Sequence, residues 1–469
     1  MATAAETSRS YRAIWRWHFW AGLIVAPFLV ILSITGAIYL FNDELNDLLM
    51  PELHFVEPVH RQLPPSALIR AAIAEYPGTP TRIDLPTEPD RPAKVYVKTA
   101  AGEPRQVMVN PGNARVLGSF VYARTLVGFA DLMHGSLLLG ERGDAIVELA
   151  ACWALVLIAS GLYLWWPRGR WKAAGLLYPR LRAKGRLFWR DLHATTGVWM
   201  LALIAFLLLT GLPWAVVQGP LIRGGFEALG TGAPQQAWGH TPPESRPMGE
   251  ALGRVSWTQE QAPMPVSDPA HADHADHQMP PQAAGTDKVA IDEAAIDGAD
   301  SIAARATAMG MRDYRLYLPR GERGIYTALT YPGRPQGQRT LHFDRWSHEL
   351  LRDYRWSQYG TGAKAVELGV QIHMGRYFGL ANQLLMLLPC IAILLLAGSG
   401  VAMWWKRRPE GAFAAPPRVP EARLDGMLLI LLVAGLLMPL LGASLLIVWL
   451  LDSAVQRIGR PAERRISQG

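Results

Sequence analysis

The chain has 469 residues, half of them hydrophobic, with 17 tryptophans and a mean hydropathy of +0.10, a composition too apolar for a soluble enzyme. Its net charge of +7 comes from basic residues gathered beside apolar runs, the topogenic pattern of a membrane protein, so no nucleic-acid partner is needed to explain it. The two cysteines, Cys152 and Cys390, fall inside apolar runs, which excludes a disulfide framework in any exported segment.

Five runs are long enough to cross roughly 30 Å of hydrocarbon, which takes about 20 helical residues. They lie at 17–41, 145–166, 194–217, 384–405 and 427–451, predicting an α-helical membrane protein of about five transmembrane helices. The first, within 1–41, is an uncleaved anchor, being too long for a signal peptide and lacking a small-residue cleavage site. Residues 42–125 form a first exported insert, with a helix over PPSALIRAAIAEYPG and strands over TRIDL, AKVYVKTA and RQVMVNP. A membrane-edge segment and the second span fill 126–166. The loop 167–190 carries Arg168, Arg170, Lys172, Arg180, Arg182, Lys184, Arg186 and Arg190, which puts it, and the amino terminus with it, in the cytoplasm. The third span occupies 191–217.

Residues 218–287 are rich in Pro, Gly and His, and the stretch 230–286 reads as loop. Within it HADHADH spaces His271, His274 and His277 three apart, which suits either metal capture by neutral imidazoles or a polar linker. The second insert, 288–356, repeats the order of the first: a helix over AIDGADSIAARATAMG, then strands over RDYRLYLPR, GIYTALTYP and RTLHFDRWSHELL. Both inserts are therefore small α+β modules on the periplasmic side. A membrane-edge segment and the fourth span follow at 357–405, a cytoplasmic loop at 406–426, the fifth span at 427–451 and a tail at 452–469. The tail's Arg457, Arg460, Arg464 and Arg465 would face outward, against the positive-inside rule.

Four membrane-edge histidines give this order its meaning. His18 and His193 are each followed by glycine four residues on (Gly22, Gly197) and by Thr-Gly at seventeen and eighteen (Thr35-Gly36, Thr210-Gly211). His134 and His373 are each followed by Ser-Gly at twenty-six and twenty-seven (Ser160-Gly161, Ser399-Gly400) and by Trp-Trp at thirty-one and thirty-two. The chain is an internal duplication, each half reading helix, insert, helix. Gly140, Gly143, Gly375 and Gly379 offer bends between the outer histidines and their spans, so each of those histidines sits on a short membrane-edge helix.

A polar ring in a membrane is costly without a partner. Four rings matched across a duplication point to ligands reached equivalently from both halves, with two imidazoles holding one iron. Zinc fits less well, because a structural zinc site wants four ligands and neither cysteine is near a histidine. Bis-histidine haem needs two imidazoles, an apolar slot and cations near the propionates. Gly22 and Gly197, one turn past their histidines, leave room for a flat ring, and Arg16 and Arg190 serve either as propionate partners or as positive-inside anchors. His18 and His193 fall at the cytoplasmic ends of their spans, and His134 and His373 on the outer side, giving two sites stacked across the bilayer. Without a covalent attachment motif the haems are b-type.

With this duplicated pattern, the four histidines, the Ser-Gly and Trp-Trp closings and an additional last span, the chain resembles, over nearly its whole length, the PepSY-associated transmembrane family. That family comprises iron-regulated inner-membrane proteins and includes ferric-siderophore reductases. The resemblance implies that both inserts are PepSY-like, that His18, His134, His193 and His373 ligate two haems, and that the acceptor is a periplasmic ferric siderophore or other Fe(III) chelate. The HADHADH insert departs from the family pattern. The electron donor would be a separate cytoplasmic molecule or a membrane quinol, since no Gly-x-Gly-x-x-Gly opens a helix after a strand. Two other classes stand beside this one. A non-enzymatic anchor displaying PepSY-like binding modules leaves the paired histidines unexplained. A metal or siderophore transporter would place ionisable groups or broken helices near the midplane, whereas these spans are almost free of charge, with Glu148 near an edge.

Overall fold

A computed structural model describes residues 4–168, 172–233, 246–268, 292–408 and 425–458. The first apolar run lies in α1 (Ala4–Leu40), followed by the short helices α2 (Asn42–Leu49) and α3 (Pro51–His54). The first insert is α4 (Pro65–Glu75), with proline at its start where the missing N–H has no helical partner, then β1 (Gly78–Asp84), β2 (Ala93–Thr99), β3 (Pro104–Val109) and β4 (Val116–Phe120). Next come α5 (Leu126–Ser136), which carries His134, and α6 (Glu141–Trp165). The turn between them puts Leu137, Leu138 and Gly140 in the left-handed region. A Cβ on Gly143 would lie 1.7 Å from the Ser136 carbonyl oxygen, so only glycine lets α6 start against that turn.

The chain continues through α7 (Arg186–Gly211), α8 (Gln218–Ala228), α9 (Met248–Leu252) and α10 (Glu293–Ala308), the last capped by the Asp292 carboxylate, which accepts from the Ala295 N–H at 3.1 Å. The second insert adds β5 (Tyr314–Tyr317), β6 (Tyr326–Thr330), β7 (Arg339–Phe343) and β8 (Leu350–Arg355). Then α11 (Thr361–His373) ends on its histidine, and a turn with left-handed Gly375 and Gly379 leads into α12 (Leu380–Trp405), α13 (Asp425–Leu437) and α14 (Pro439–Ile458).

The chain divides into two compact units. The first comprises Met1–Ala37, Met133–Ile222 and Leu384–Gly469. Among the described residues, four helices are long and apolar enough to cross a membrane: Arg9–Leu40, Glu141–Trp165, Arg186–Trp214 and Leu380–Trp405. The fifth run, read from sequence as one span, is instead split into α13 and α14 at Met438, because Pro439 has no N–H to continue the helical ladder. Trp153 Nε1 donates to Ser444 Oγ at 3.0 Å and so ties α14 to α6, beside a buried cluster of Cys152, Leu212 and Leu441. Glu148 is only 1% exposed and accepts the Val217 N–H at 2.9 Å. The residue read as an edge charge is thus a buried cap for the backbone after α7.

The second unit comprises Ile38–Leu132 and Arg223–Gln383. Its strands form one eight-stranded antiparallel sheet in the order β4-β3-β2-β1-β5-β6-β7-β8. The inserts are therefore not two separate modules. They join where β1 pairs antiparallel with β5 through Arg82↔Tyr317, Ile83↔Leu316 and Asp84↔Arg315, which satisfies the edge that each four-stranded half would otherwise expose. The helices α4 and α10 lie side by side over one face, sealing Leu68, Ile83, Val95, Ile302, Leu316 and Phe343 into a common core. The Ser66 hydroxyl donates to Asp300 at 2.7 Å and Arg70 donates to Asp297 at 2.6 Å, bridging the two helices.

Part of the stretch read as loop is ordered. Met248, Val255, Ala262 and Met264 pack onto Tyr317, Ile325 and Leu329, so residues 247–267 roof the opposite face of the second half of the sheet. Composition did not disclose it, because the few apolar residues are widely spaced and find their partners only on the sheet. His271, His274 and His277 lie outside the described residues.

Candidate functional site

Within the helical unit, α6 holds the histidine of α1, and α1 holds the histidine at the end of α5. On α6, the Ser160 hydroxyl lies 2.9 Å from His18 Nδ1 and donates its one proton to the Val156 carbonyl at 2.7 Å. With that proton on the carbonyl, the hydroxyl accepts from His18 Nδ1, the arrangement that would leave Nε2 as the metal-binding nitrogen. On α1, His134 Nδ1 donates to the Leu32 carbonyl at 3.0 Å, with Thr35 Oγ1 at 3.1 Å giving its own proton to Ile31 O. The same device recurs between α7 and α12: His193 Nδ1 donates to Leu396 O at 3.1 Å, and Ser399 Oγ lies 3.0 Å away while donating to Leu395 O. A carbonyl oxygen can only accept, so Nδ1 of His134 and of His193 carries a proton.

The glycine after each hydroxyl has a matching role. A Cβ would come within 3.3 Å of His18 Cε1 at Gly161, 3.0 Å of His134 Cε1 at Gly36 and 4.0 Å of His193 Cε1 at Gly400. A side chain at the first two positions would push the ring off its hydroxyl. These are the functional residues that reading the sequence missed: Thr35, Ser160 and Ser399 with their glycines stood out as a register, but their partners are histidines on another span.

The two clamped rings His18 and His193 meet. Their centroids are 6.3 Å apart and their planes stand at 87°. Two imidazoles bonded through ring nitrogens to one metal at about 2 Å each would have centroids about 6 Å apart. Metal-bound histidines also typically donate the other ring N–H to a carbonyl or similar acceptor, which fixes tautomer and orientation. The residues present therefore fit an iron held between His18 and His193.

Comparison with known families bears on the whole arrangement. The model of the PepSY-associated TM region matches residues 15–407. The chain belongs to that family. No curated protein matches the chain. The family match takes in all four histidines and the sheet, and stops before α13.

The remaining residues singled out from the sequence fall as follows. Gly22 and Gly197 have matched surroundings: a Cβ would touch Leu157 at 3.9 Å in one and Leu396 at 3.6 Å in the other, both ordinary contacts. Protein packing thus does not demand glycine at either. Arg190 is engaged with its neighbour, donating to Asp191 Oδ1 at 2.6 Å, while Arg180 donates to Oδ2 of the same fully buried carboxylate at 2.6 Å. It is Arg180, through Asp191, that holds the basic loop onto α7. Arg16 lies two residues before His18 on α1. In the sheet-bearing unit, His373 closes α11, and Asn382 Nδ2 donates to Ile372 O at 2.8 Å to hold that helix end. Both cysteines are free and buried.

Proposed function

We propose that this member of the PepSY-associated transmembrane family is a dihaem reductase of the bacterial inner membrane, carrying electrons outward to periplasmic ferric iron or a ferric siderophore. One observation carries the reading: the His18 and His193 rings lie 6.3 Å apart, each held at Nδ1, by Ser160 Oγ and by Leu396 O. Two imidazoles brought together in an apolar bundle gain little from each other and much from a shared metal. Haem bound there supplies one-electron chemistry.

The chain's own part is to orient and insulate. Ser160 and Ser399 fix the inner rings, Leu32 and Thr35 fix His134, and His373 is the proposed partner of His134 at the outer site. The basic segment around Arg180 and Arg190 supports a cytoplasmic amino terminus and an inner site near the cytoplasmic face. The donor is a cytoplasmic reductant or a quinol. One electron converts acceptor Fe(III) to Fe(II), for which the hard oxygen ligands of a siderophore have less affinity.

The test is a reduced-minus-oxidised visible spectrum of the detergent-purified protein with a pyridine haemochrome count. About two b-type haems per chain, with reoxidation by a ferric chelate, is the expected result. A haem-free preparation from cells that load other cytochromes would replace this reading with that of an anchor displaying the sheet as a binding module.

A further inference from the structure

The roofed face of the sheet hides a titratable group that the proposed electron path does not use. Glu367, on α11, is fully buried. Its Oε1 accepts from the Thr258 N–H at 2.8 Å and from the Thr258 hydroxyl at 2.9 Å, and its Oε2 accepts from Gln338 Nε2 at 3.0 Å. One turn further along the same helix face, Gln371 is fully buried with both amide atoms unpartnered, and Gln338 Oε1 is unpartnered as well. Among the described residues, the charged and titratable groups facing Glu367 are Arg223, Tyr331 and Tyr359. Arg223 is committed elsewhere, donating to Glu260 at 2.6 Å and to Trp257 O at 2.7 Å.

Holding the Thr258 turn against α11 does not require a carboxyl. A glutamine would accept the same two bonds without the cost of burying a charge that has no bonded cation. What a carboxyl adds is a proton it can gain and lose. The surrounding amides suit both states, because Gln338 donates to a carboxylate in one orientation and accepts from a carboxylic acid in the other. Burial pushes the Glu367 carboxyl above the ordinary carboxylate range against the pull of its three donors.

We propose that Glu367 is a proton-exchanging residue of α11, taking up one proton when a haem held by His373 would be reduced by one electron. The inference rests on the reading of His373 as a haem ligand. His373 lies six residues further along α11, about 9 Å at the helical rise. A negative charge added roughly 12 Å away, at an effective dielectric of about 20, would raise the proton affinity of Glu367 by about tenfold. The electron comes from the donor proposed above, the proton from water on the exported side, and a carboxylate oxygen becomes a hydroxyl. When the electron passes to Fe(III), the proton leaves.

The experiment combines redox titration across pH with infrared difference spectroscopy on the full-length protein in detergent, wild type against Glu367→Gln, with Glu367→Asp as a second variant that keeps a titratable group. In the wild type the midpoint potential of one haem should fall with rising pH between two plateaus, a total change of about tenfold in the reduced-to-oxidised ratio. The carboxylic C=O stretch should grow on reduction. Glu367→Gln should flatten that one potential and abolish the band, leaving the other haem unchanged, and Glu367→Asp should move the window without removing it. A pH dependence unchanged in Glu367→Gln, or no protonated-carboxyl signal in the wild type, overturns the proposal. Protein that binds no haem sinks the proposed function separately, and the pH titration of the Glu367 infrared band still decides whether that residue exchanges a proton.

Discussion

The two halves of the duplication treat their histidines alike and their sheet faces differently. His18 and His193 each sit under a serine of a neighbouring span, with glycine next in sequence. On the sheet, the first half turns Arg82, Asp84, Lys94 and Tyr96 away from the helices, all half-buried, with the Arg82 guanidinium 3.8 Å above the Tyr96 ring. The second half turns Thr327, Thr340 and His342 the same way, and all three are sealed beneath the roofing segment, where Thr340 donates to Gln259 at 2.8 Å. Symmetry persists at His18 and His193, the pair that the proposed haem would require to match. It lapses where a segment present in only one copy changes what the face is packed against.

Four measurements test this contrast. The largest effect concerns the shared ligand: His18→Ala and His193→Ala should each remove the same one haem of two, checked by haemochrome count, and loss of different haems would end the equivalence of the halves. Next, the sheet should behave as a single body. Ile83→Ala and Leu316→Ala, fully buried partners across the central seam, should each cost about 2–4 kcal/mol in one common unfolding transition. Two transitions under urea would mean that the halves fold separately.

The third effect tests the clamps. Ser160→Ala should weaken haem retention by about 10- to 100-fold. Ser399→Ala should do less, because Leu396 O still holds His193 Nδ1 whereas His18 has the Ser160 hydroxyl. Equal losses would show that the carbonyl contributes nothing.

The smallest effect belongs to the roofed face alone. His342 bonds Thr327 Oγ1 at 2.9 Å, and burial lowers its pKa to about 3, so the folded ring is neutral. Below about pH 6.5 the unfolded ring binds a proton that the folded one does not. Stability should therefore be full above that value and decline as pH falls towards 3. Hydrogen exchange in β6 and β7 at pH 7 and pH 5 would show this, and His342→Gln should remove that part of the pH dependence. The first half has no counterpart among its outward residues named here.

The legible parts of the fold were those with a local signal. The long apolar runs announce the spans, and in each insert an amphipathic stretch followed by alternating ones announces a helix and strands. At the site, equal offsets marked His18 and His193 as equivalent. The purpose of the offsets was not legible: Ser160 was counted from His134, yet it bonds His18, 142 residues away, and Ser399 bonds His193 across 206 residues. The roof over the second half was hidden for a related reason, since Met248 and Met264 look like isolated apolar residues until the sheet supplies their partners.

By itself the sequence determined a membrane-spanning chain, its duplication and the inventory of histidines, because hydrophobic length and repeated spacing are properties of consecutive residues. Only the tertiary structure decided that the two inserts share one sheet, that the last apolar run bends at Met438, that serine and threonine hydroxyls hold the rings, and that Glu367 lies sealed among amides. Each of these depends on which distant segments meet. A hydrogen bond or a strand pairing acts over about 3–5 Å of space, whatever length of chain lies between its partners.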